Sequence, residues 1–213
     1  MAGATVFEQI RQDILSCELP PGAEIFEQQL ARRFGVSKSP VRDALIRLQE
    51  QKLVEVRPRS GYRVRPISIV EAEEMYEMRQ LYERECVARA IDHASDDELE
   101  SLHEHLTTEA FMPTLQWVAL NRRFHSAIAA VSGNSCLAEA ANRLNDQFDR
   151  FTVVSVGRLA QPVDFTRFND EHRALVAAML RRDKRAALAL LRSHIAGSRA
   201  RTMQALSIPG IVP

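Results

Sequence analysis

The chain has 213 residues, and its 28 Lys+Arg balance 28 Asp+Glu to a formal net charge of zero. Apolar residues make up 46% and charged residues 26%, ordinary for a globular protein, and 8 Gly with 9 Pro are too few for a disordered or fibrous chain. No apolar run approaches the ~20 residues that span a bilayer. Met1 to Glu8 shows no signal-peptide pattern, and three widely spaced cysteines (Cys17, Cys86, Cys136) speak against a disulfide framework or a thiolate zinc site. A reducing cytoplasm without membrane attachment is the expected setting.

Zero net charge conceals an uneven distribution. Residues 1–65 hold 11 basic against 8 acidic side chains, while the remainder holds 17 against 20. Within residues 33–65 there are 9 basic and 3 acidic side chains, the pattern of a module for a polyanion joined to a second domain. The alternative is a solvated surface with scattered cations.

In chain order, Val6, Ile10, Ile14 and Leu15 predict a helix over 5–17, ended by Pro20-Pro21-Gly22. Ile25 suits a short strand. Leu30 and Phe34 share a face of a second helix over 27–34, closed by Gly35. Ser37 or Ser39 can cap a third helix, with Pro40 in its first turn and Val41, Ala44, Leu45 and Leu48 as its apolar stripe. Its other face carries Lys38, Arg42, Asp43 and Arg47. Two short helices around a Gly-containing turn describe a helix-turn-helix, whose second helix leads with its N-terminal residues into the major groove. Residues 53–57 and 62–65 then read as strands joined by Pro58-Arg59-Ser60-Gly61, a hairpin with a basic tip, or wing. Lys38, Arg42, Arg57, Arg59 and the Gly61 backbone are therefore candidate DNA contacts, to base edges or phosphates, with Ser37 and Arg47 of the same helix region counted beside them.

Beyond a junction at Pro66-Ile67-Ser68, helical periodicity predicts six helices: 68–93, 95–107, 113–131, 135–157, 165–182 and 184–206. Ser95 with Glu98 reads as a capping box. The fold class is mostly α: a winged helix-turn-helix over 1–65, a linker and helix start over 66–72, and an all-α bundle over 73–213.

The stretch from Leu30-Ala31-Arg32-Arg33-Phe34-Gly35-Val36-Ser37 through Lys38-Ser39-Pro40-Val41-Arg42-Asp43-Ala44-Leu45, with Pro21-Gly22, Arg47-Leu48, Leu53-Val54 and Gly61, resembles the winged helix of GntR-family transcriptional regulators. The resemblance implies DNA contacts at Lys38, Ser39, Pro40, Arg42 and the wing. Gln28 stands where some relatives carry a DNA-contacting arginine. The six-helix region, with Arg79-Gln80-Leu81-Tyr82-Glu83, Asn121-Arg122-Arg123-Phe124-His125, Asp170-Glu171-His172-Arg173 and Ser193-His194-Ile195, resembles the FCD effector domain of the FadR subfamily. That resemblance implies a divalent metal (zinc, nickel or similar) held by Asn121, His125, His172 and His194, with Asn121 replacing an Asp and so offering a neutral carbonyl. Asn121 and His125 are four apart and share a helix face. Hydrogen-bonded core histidines are the alternative. His93, His103 and His105 read as surface residues.

Arg79 and Arg150 are candidates to bind an anionic effector, because a guanidinium matches a carboxylate. Otherwise Arg79 forms a surface ion pair with Glu83, and Arg150 lies on a solvated face. Trp117 reads as core. The function expected is a ligand-responsive, homodimeric regulator, a repressor, binding palindromic double-stranded DNA and sensing a small carboxylate. A metal-dependent hydrolase using three histidines and an effector-independent DNA binder are the alternatives. No His-Glu-x-x-His, nucleophile elbow or phosphate loop supports an enzyme.

Overall fold

A computed structural model describes residues 5–58, 61–157, 159 and 162–207. The chain divides after Ser68 into two compact units, the second spanning Ile69–Leu206.

In the first unit, α1 (Val6–Leu15) is capped by Thr5, whose hydroxyl accepts from the Glu8 N–H while the Glu8 carboxylate accepts from the Thr5 N–H. Strand β1 (Glu24–Ile25) leads into α2 (Glu27–Phe34) and α3 (Lys38–Glu50). Gly35 ends α2 at φ 66°, the left-handed conformation that a tight helix-turn-helix requires and glycine adopts without strain. Strands β2 (Val54–Arg57) and β3 (Gly61–Val64) form the hairpin, and the antiparallel sheet runs β1-β3-β2 with Val54 opposite Val64 and Arg57 opposite Gly61. Ile10, Ile14, Leu30, Val41, Leu45, Leu48, Val54 and Val64 close one core beneath these elements. That core fixes α3 by its apolar stripe and leaves its polar face outward.

The second unit is built from α4 (Ile69–His93), α5 (Asp96–Glu100), α6 (Thr114–Ala130), α7 (Ser135–Val156), α8 (Thr166–Leu180) and α9 (Lys184–Leu206). The Ser95–Glu98 capping box is present. The helix predicted over 95–107 is shorter: α5 stops at Glu100 and a 3-10 turn takes Ser101–His105. There the Ser101 hydroxyl donates to the Glu98 carbonyl. Helix α4 packs along α9, α7 and α6, and α9 also meets α8, so five helices share one interior. A second apolar cluster stacks Trp117 on Phe165 at 4.7 Å, with Phe168 beside them. The Trp117 indole N–H donates to Asn169 Oδ1, satisfying a buried polar atom, as a core tryptophan requires. No helix among the described residues is long and apolar enough to cross a membrane.

Candidate functional site

The first candidate surface is the outward face of α3 and the wing. Ser37, Lys38, Ser39, Pro40, Arg42, Arg57 and Gly61 are all exposed, as a surface for a large partner must be. Arg59 lies outside the described residues. Ser37 precedes α3 at its cap position, though its side chain makes no capping bond. The Arg42 guanidinium is held by Glu27 on α2 in a two-pronged contact, Nε to Oε1 at 2.9 Å and Nη2 to Oε2 at 2.8 Å. This pair holds Glu27 below the usual carboxylate range. Sequence reasoning missed Glu27, because its partner is fifteen residues away. Arg47 points elsewhere, its guanidinium 3.8 Å from the centre of the Phe7 ring on α1. Gln28 is exposed on α2. At the hairpin tip Gly61 has φ +93°, and a Cβ there would stand 2.9 Å from the Ile25 carbonyl oxygen. Only glycine lets the wing fold this close to β1.

The second candidate site lies inside the helical unit. His125 on α6, His172 on α8 and His194 on α9 are 3%, 5% and 6% exposed, and one ring nitrogen from each lies within 4.8 Å of the others. Two nitrogens bound to one ion at ~2.1 Å stand at most ~4.2 Å apart, so a shift below ~1 Å would gather all three. Among the described residues this is the group whose donors converge in this way. His194 Nδ1 is 2.8 Å from Glu171 Oε2, leaving Nε2 available. His172 Nε2 is buried without a hydrogen-bond partner, an orphaned lone pair or proton aimed into the interior. Phe124 stacks on His172 at 4.1 Å and fixes its ring plane.

Arg79 and Glu83 from α4 complete the shell. Arg79 Nε donates to Glu83 Oε1 at 2.8 Å, and Arg79 Nη2 stands 3.0 Å from His125 Nε2. His125 Nδ1 faces Glu83 Oε2 at 3.0 Å. The expected Arg79–Glu83 pair therefore exists but is buried, not at the surface: the two side chains are 3% and 6% exposed. Packing of α4 against α6, α7, α8 and α9 places this face inside. Burial by itself would raise the Glu83 carboxyl, yet its neighbours, the Arg79 guanidinium first, outweigh it and hold it well below the usual range. Burial lowers His125 to about 4 and His172 well below its ordinary value, with the neighbouring cationic groups adding to the effect on His172. Both imidazoles are thus neutral, the form that ligates metals.

A cavity of about 20 Å³ adjoins His194 and is lined by Arg79, Trp117, Asn121, Thr152, Ser155, Ser198 and Arg201, among others. A volume of ~10–15 Å³ is the minimum for one water, so anything larger enters only if the lining moves. Asn121 is half-buried on this wall, one helical turn before His125. Arg150 is 3% exposed, which rules out a solvated face, but it is not on the cavity wall; Thr152, Ser155 and Val156 present that side of α7. Arg201 was missed by sequence reasoning, although it lies two turns beyond His194 on the same face of α9. Its guanidinium is 4.5 Å from the Phe168 ring centre. Glu171 was likewise missed as the partner of His194. His93 and His103 are exposed and His105 is half-buried, all outside the cluster.

A winged helix with an exposed basic face, followed by a helical domain with a buried polar centre, is the architecture of a DNA-binding regulator. Residues 2–64 match the family model described as bacterial regulatory proteins, gntR family, and residues 74–197 match the FCD domain model. The chain belongs to the GntR family of transcriptional regulators and carries an FCD domain. Its relatives include the uncharacterized HTH-type transcriptional regulator YdhC of Bacillus subtilis, 28% identical over 88% of this chain and 85% of that protein. The HTH-type transcriptional repressor GlaR of Escherichia coli is 28% identical over 89% of this chain and 90% of its own length. The repressor RspR of the same organism is 24% identical over 89% and 84%. Among solved structures, E. coli McbR/YncC superposes with a TM-score of 0.77 at 23% identity over 96% of this chain and all of that one. The likeness to McbR concerns the fold alone.

Proposed function

We propose that this regulator represses transcription by binding an inverted-repeat operator as a homodimer, and that a small carboxylate bound in the helical domain changes its affinity for DNA. The observation that carries the sensing half is the convergence of three buried histidines, two of them held neutral, with the His172 Nε2 unpartnered. His125, His172 and His194 would hold a divalent ion, with Asn121 beside them, and Glu171 and Glu83 would fix the ring orientations from behind. Such an ion supplies an electrophilic centre for a carboxylate oxygen. Arg79 and Arg201, both on the cavity wall, are the cations that would meet the rest of an anion there. Arg150 is the weaker candidate because it lies off that wall.

Lys38, Ser39, Pro40 and Arg42 on α3, with Arg57, Arg59 and Gly61 of the wing, would contact the duplex, and Ser37 stands at the same helix N-terminus. Arg47 would contribute chiefly through its stacking on Phe7. The relatives described as repressors support the direction of control. Two-fold symmetry of a dimer would be mirrored in a palindromic site.

The test joins both halves. Metal analysis of protein purified without chelator is expected to give about one divalent ion per chain. Operator binding, measured in the presence and absence of candidate acids, should change with the acid, and the acid's affinity should change reciprocally with operator. Metal-free protein whose operator affinity ignores every acid refutes the sensing role. Failure to prefer any palindrome over bulk DNA refutes the regulatory one.

A further inference from the structure

Arg79, Glu83 and His125 form a closed ring of contacts whose proton positions can be deduced. A guanidinium offers only donors. Arg79 Nη2 at 3.0 Å from His125 Nε2 is therefore a hydrogen bond only when Nε2 is the bare acceptor nitrogen. The His125 proton then sits on Nδ1, 3.0 Å from Glu83 Oε2 in a charge contact that lacks hydrogen-bond alignment, while Glu83 Oε1 accepts from Arg79 Nε at 2.8 Å. The Phe148 ring lies 4.7 Å from the guanidinium carbon and backs it. His194 repeats half of this pattern, with Nδ1 against Glu171 and Nε2 left over. His125 is thus prepared to present Nε2 to a cation, and a cation already occupies it.

We infer that Arg79 is a resident competitor at the histidine cluster, so that divalent metal binding is a displacement in which the Arg79 guanidinium gives up His125 Nε2. This rests on the proposal that the three histidines bind metal. One lone pair cannot serve a guanidinium and a metal ion at once, and two cations this close in a dry interior repel. Anionic charge open to an incoming dication is scarce: Asn121 is neutral, Glu83 Oε1 is committed to Arg79 while Oε2 stands against His125 Nδ1, and Glu171 stands behind His194. Arg79 also lines the cavity shared with Asn121, Ser198 and Arg201. The released guanidinium has that space on its open side, where a carboxylate would meet it. The arrangement makes metal and acid mutually supporting ligands, with Arg79 as the element each of them must move.

The test is zinc titration of the full-length, metal-stripped chain by calorimetry or indicator competition. Arg79→Met keeps side-chain length and removes the competitor. Because it strands the Glu83 carboxylate, it is paired with Arg79→Met/Glu83→Gln, which removes the ion pair as a unit, preserves net charge and keeps an acceptor for His125 Nδ1. Both variants are expected to bind zinc about tenfold or more tightly than the wild-type chain, the order expected for losing one charged hydrogen bond to a ligand atom. Zinc binding by the variants with none by the wild type is the same result in stronger form. A folded double variant that binds zinc no more tightly than wild type overturns the displacement while leaving the metal proposal intact. Absence of zinc binding in all three chains overturns both.

Discussion

The two units place their functional side chains in opposite surroundings. On α3, Arg42 and its partner Glu27 stand at the surface, joined across two neighbouring helices. In the helical unit, Arg79 and its partner Glu83 make a chemically similar pair, but with 3% and 6% exposure. Solvent screens the first pair and leaves its guanidinium accessible to a new anion. The second is desolvated, so neither partner can be removed without leaving a buried charge. One pair stands where a large polyanion can touch it, the other where only something small enough to penetrate the interior can reach it.

The largest expected effect tests the buried pair. Glu83→Ala leaves the Arg79 guanidinium without its carboxylate in a dry interior and is expected to destabilise the protein by about 3–5 kcal/mol. Denaturant unfolding measures it. A loss below ~1 kcal/mol would show that water reaches Arg79 and that the contrast between the units is overstated. Next is the wing. Gly61→Ala forces a Cβ to within 2.9 Å of the Ile25 carbonyl oxygen at a backbone angle of +93°. A cost of about 1–3 kcal/mol is expected in the stability of the winged helix, together with weakened operator binding. Unchanged stability would show that the β1–β3 edge yields easily.

Much of the winged helix was legible because its signals are local. Gly35, Ser37 and Pro40 mark the turn and helix start, and the Val41, Ala44, Leu45, Leu48 stripe sets which face of α3 turns inward. The Arg42–Glu27 clasp was not legible, since nothing in a fifteen-residue separation signals contact. In the helical unit the periodicities located the long helices, but the 3-10 turn at Ser101–His105 escaped, because apolar periodicity does not separate a short 3-10 turn from the end of an α-helix. The three histidines were picked out through family resemblance. Their convergence depends on the packing of α6, α8 and α9, which no single segment encodes. For the same reason the alternative to an effector-binding Arg79 was a surface pair with Glu83: the i,i+4 spacing is visible, the burial is not.

The Arg42 substitution sharpens the contrast from the other side. Arg42→Ala removes an exposed side chain whose apolar support is small, so thermal unfolding should barely change. Operator affinity should fall about tenfold if the guanidinium reads a base, with relaxed sequence preference at that position. An equal loss on operator and random DNA would assign Arg42 to phosphate instead. Glu27→Gln releases the guanidinium while keeping its charge. It is expected to leave non-specific binding intact, or raise it as a nearby negative charge is lost, and to lower the ratio of specific to non-specific affinity. An unchanged ratio would show that the clasp is incidental to recognition.

The mildest probe alters no residue. Cys136 is exposed, whereas Cys86 on α4 is buried. Burial, reinforced by the nearby Glu83 carboxylate, pushes the Cys86 thiol up to about 12. A thiolate is the reactive form, so at pH 8 iodoacetamide is expected to label Cys136 within minutes and Cys86 only when the helical unit opens. Peptide mass spectrometry separates the two sites. Because Cys86 lies one turn beyond Glu83, its labelling rate reports on the interior that holds the Arg79 pair. Zinc that displaces Arg79 from His125 without opening the unit should leave that rate low, while Glu83→Ala should raise it. Rapid labelling of Cys86 in the native wild-type chain would mean that the interior exchanges with solvent on the timescale of the reagent, and the difference between the two units would then be one of degree.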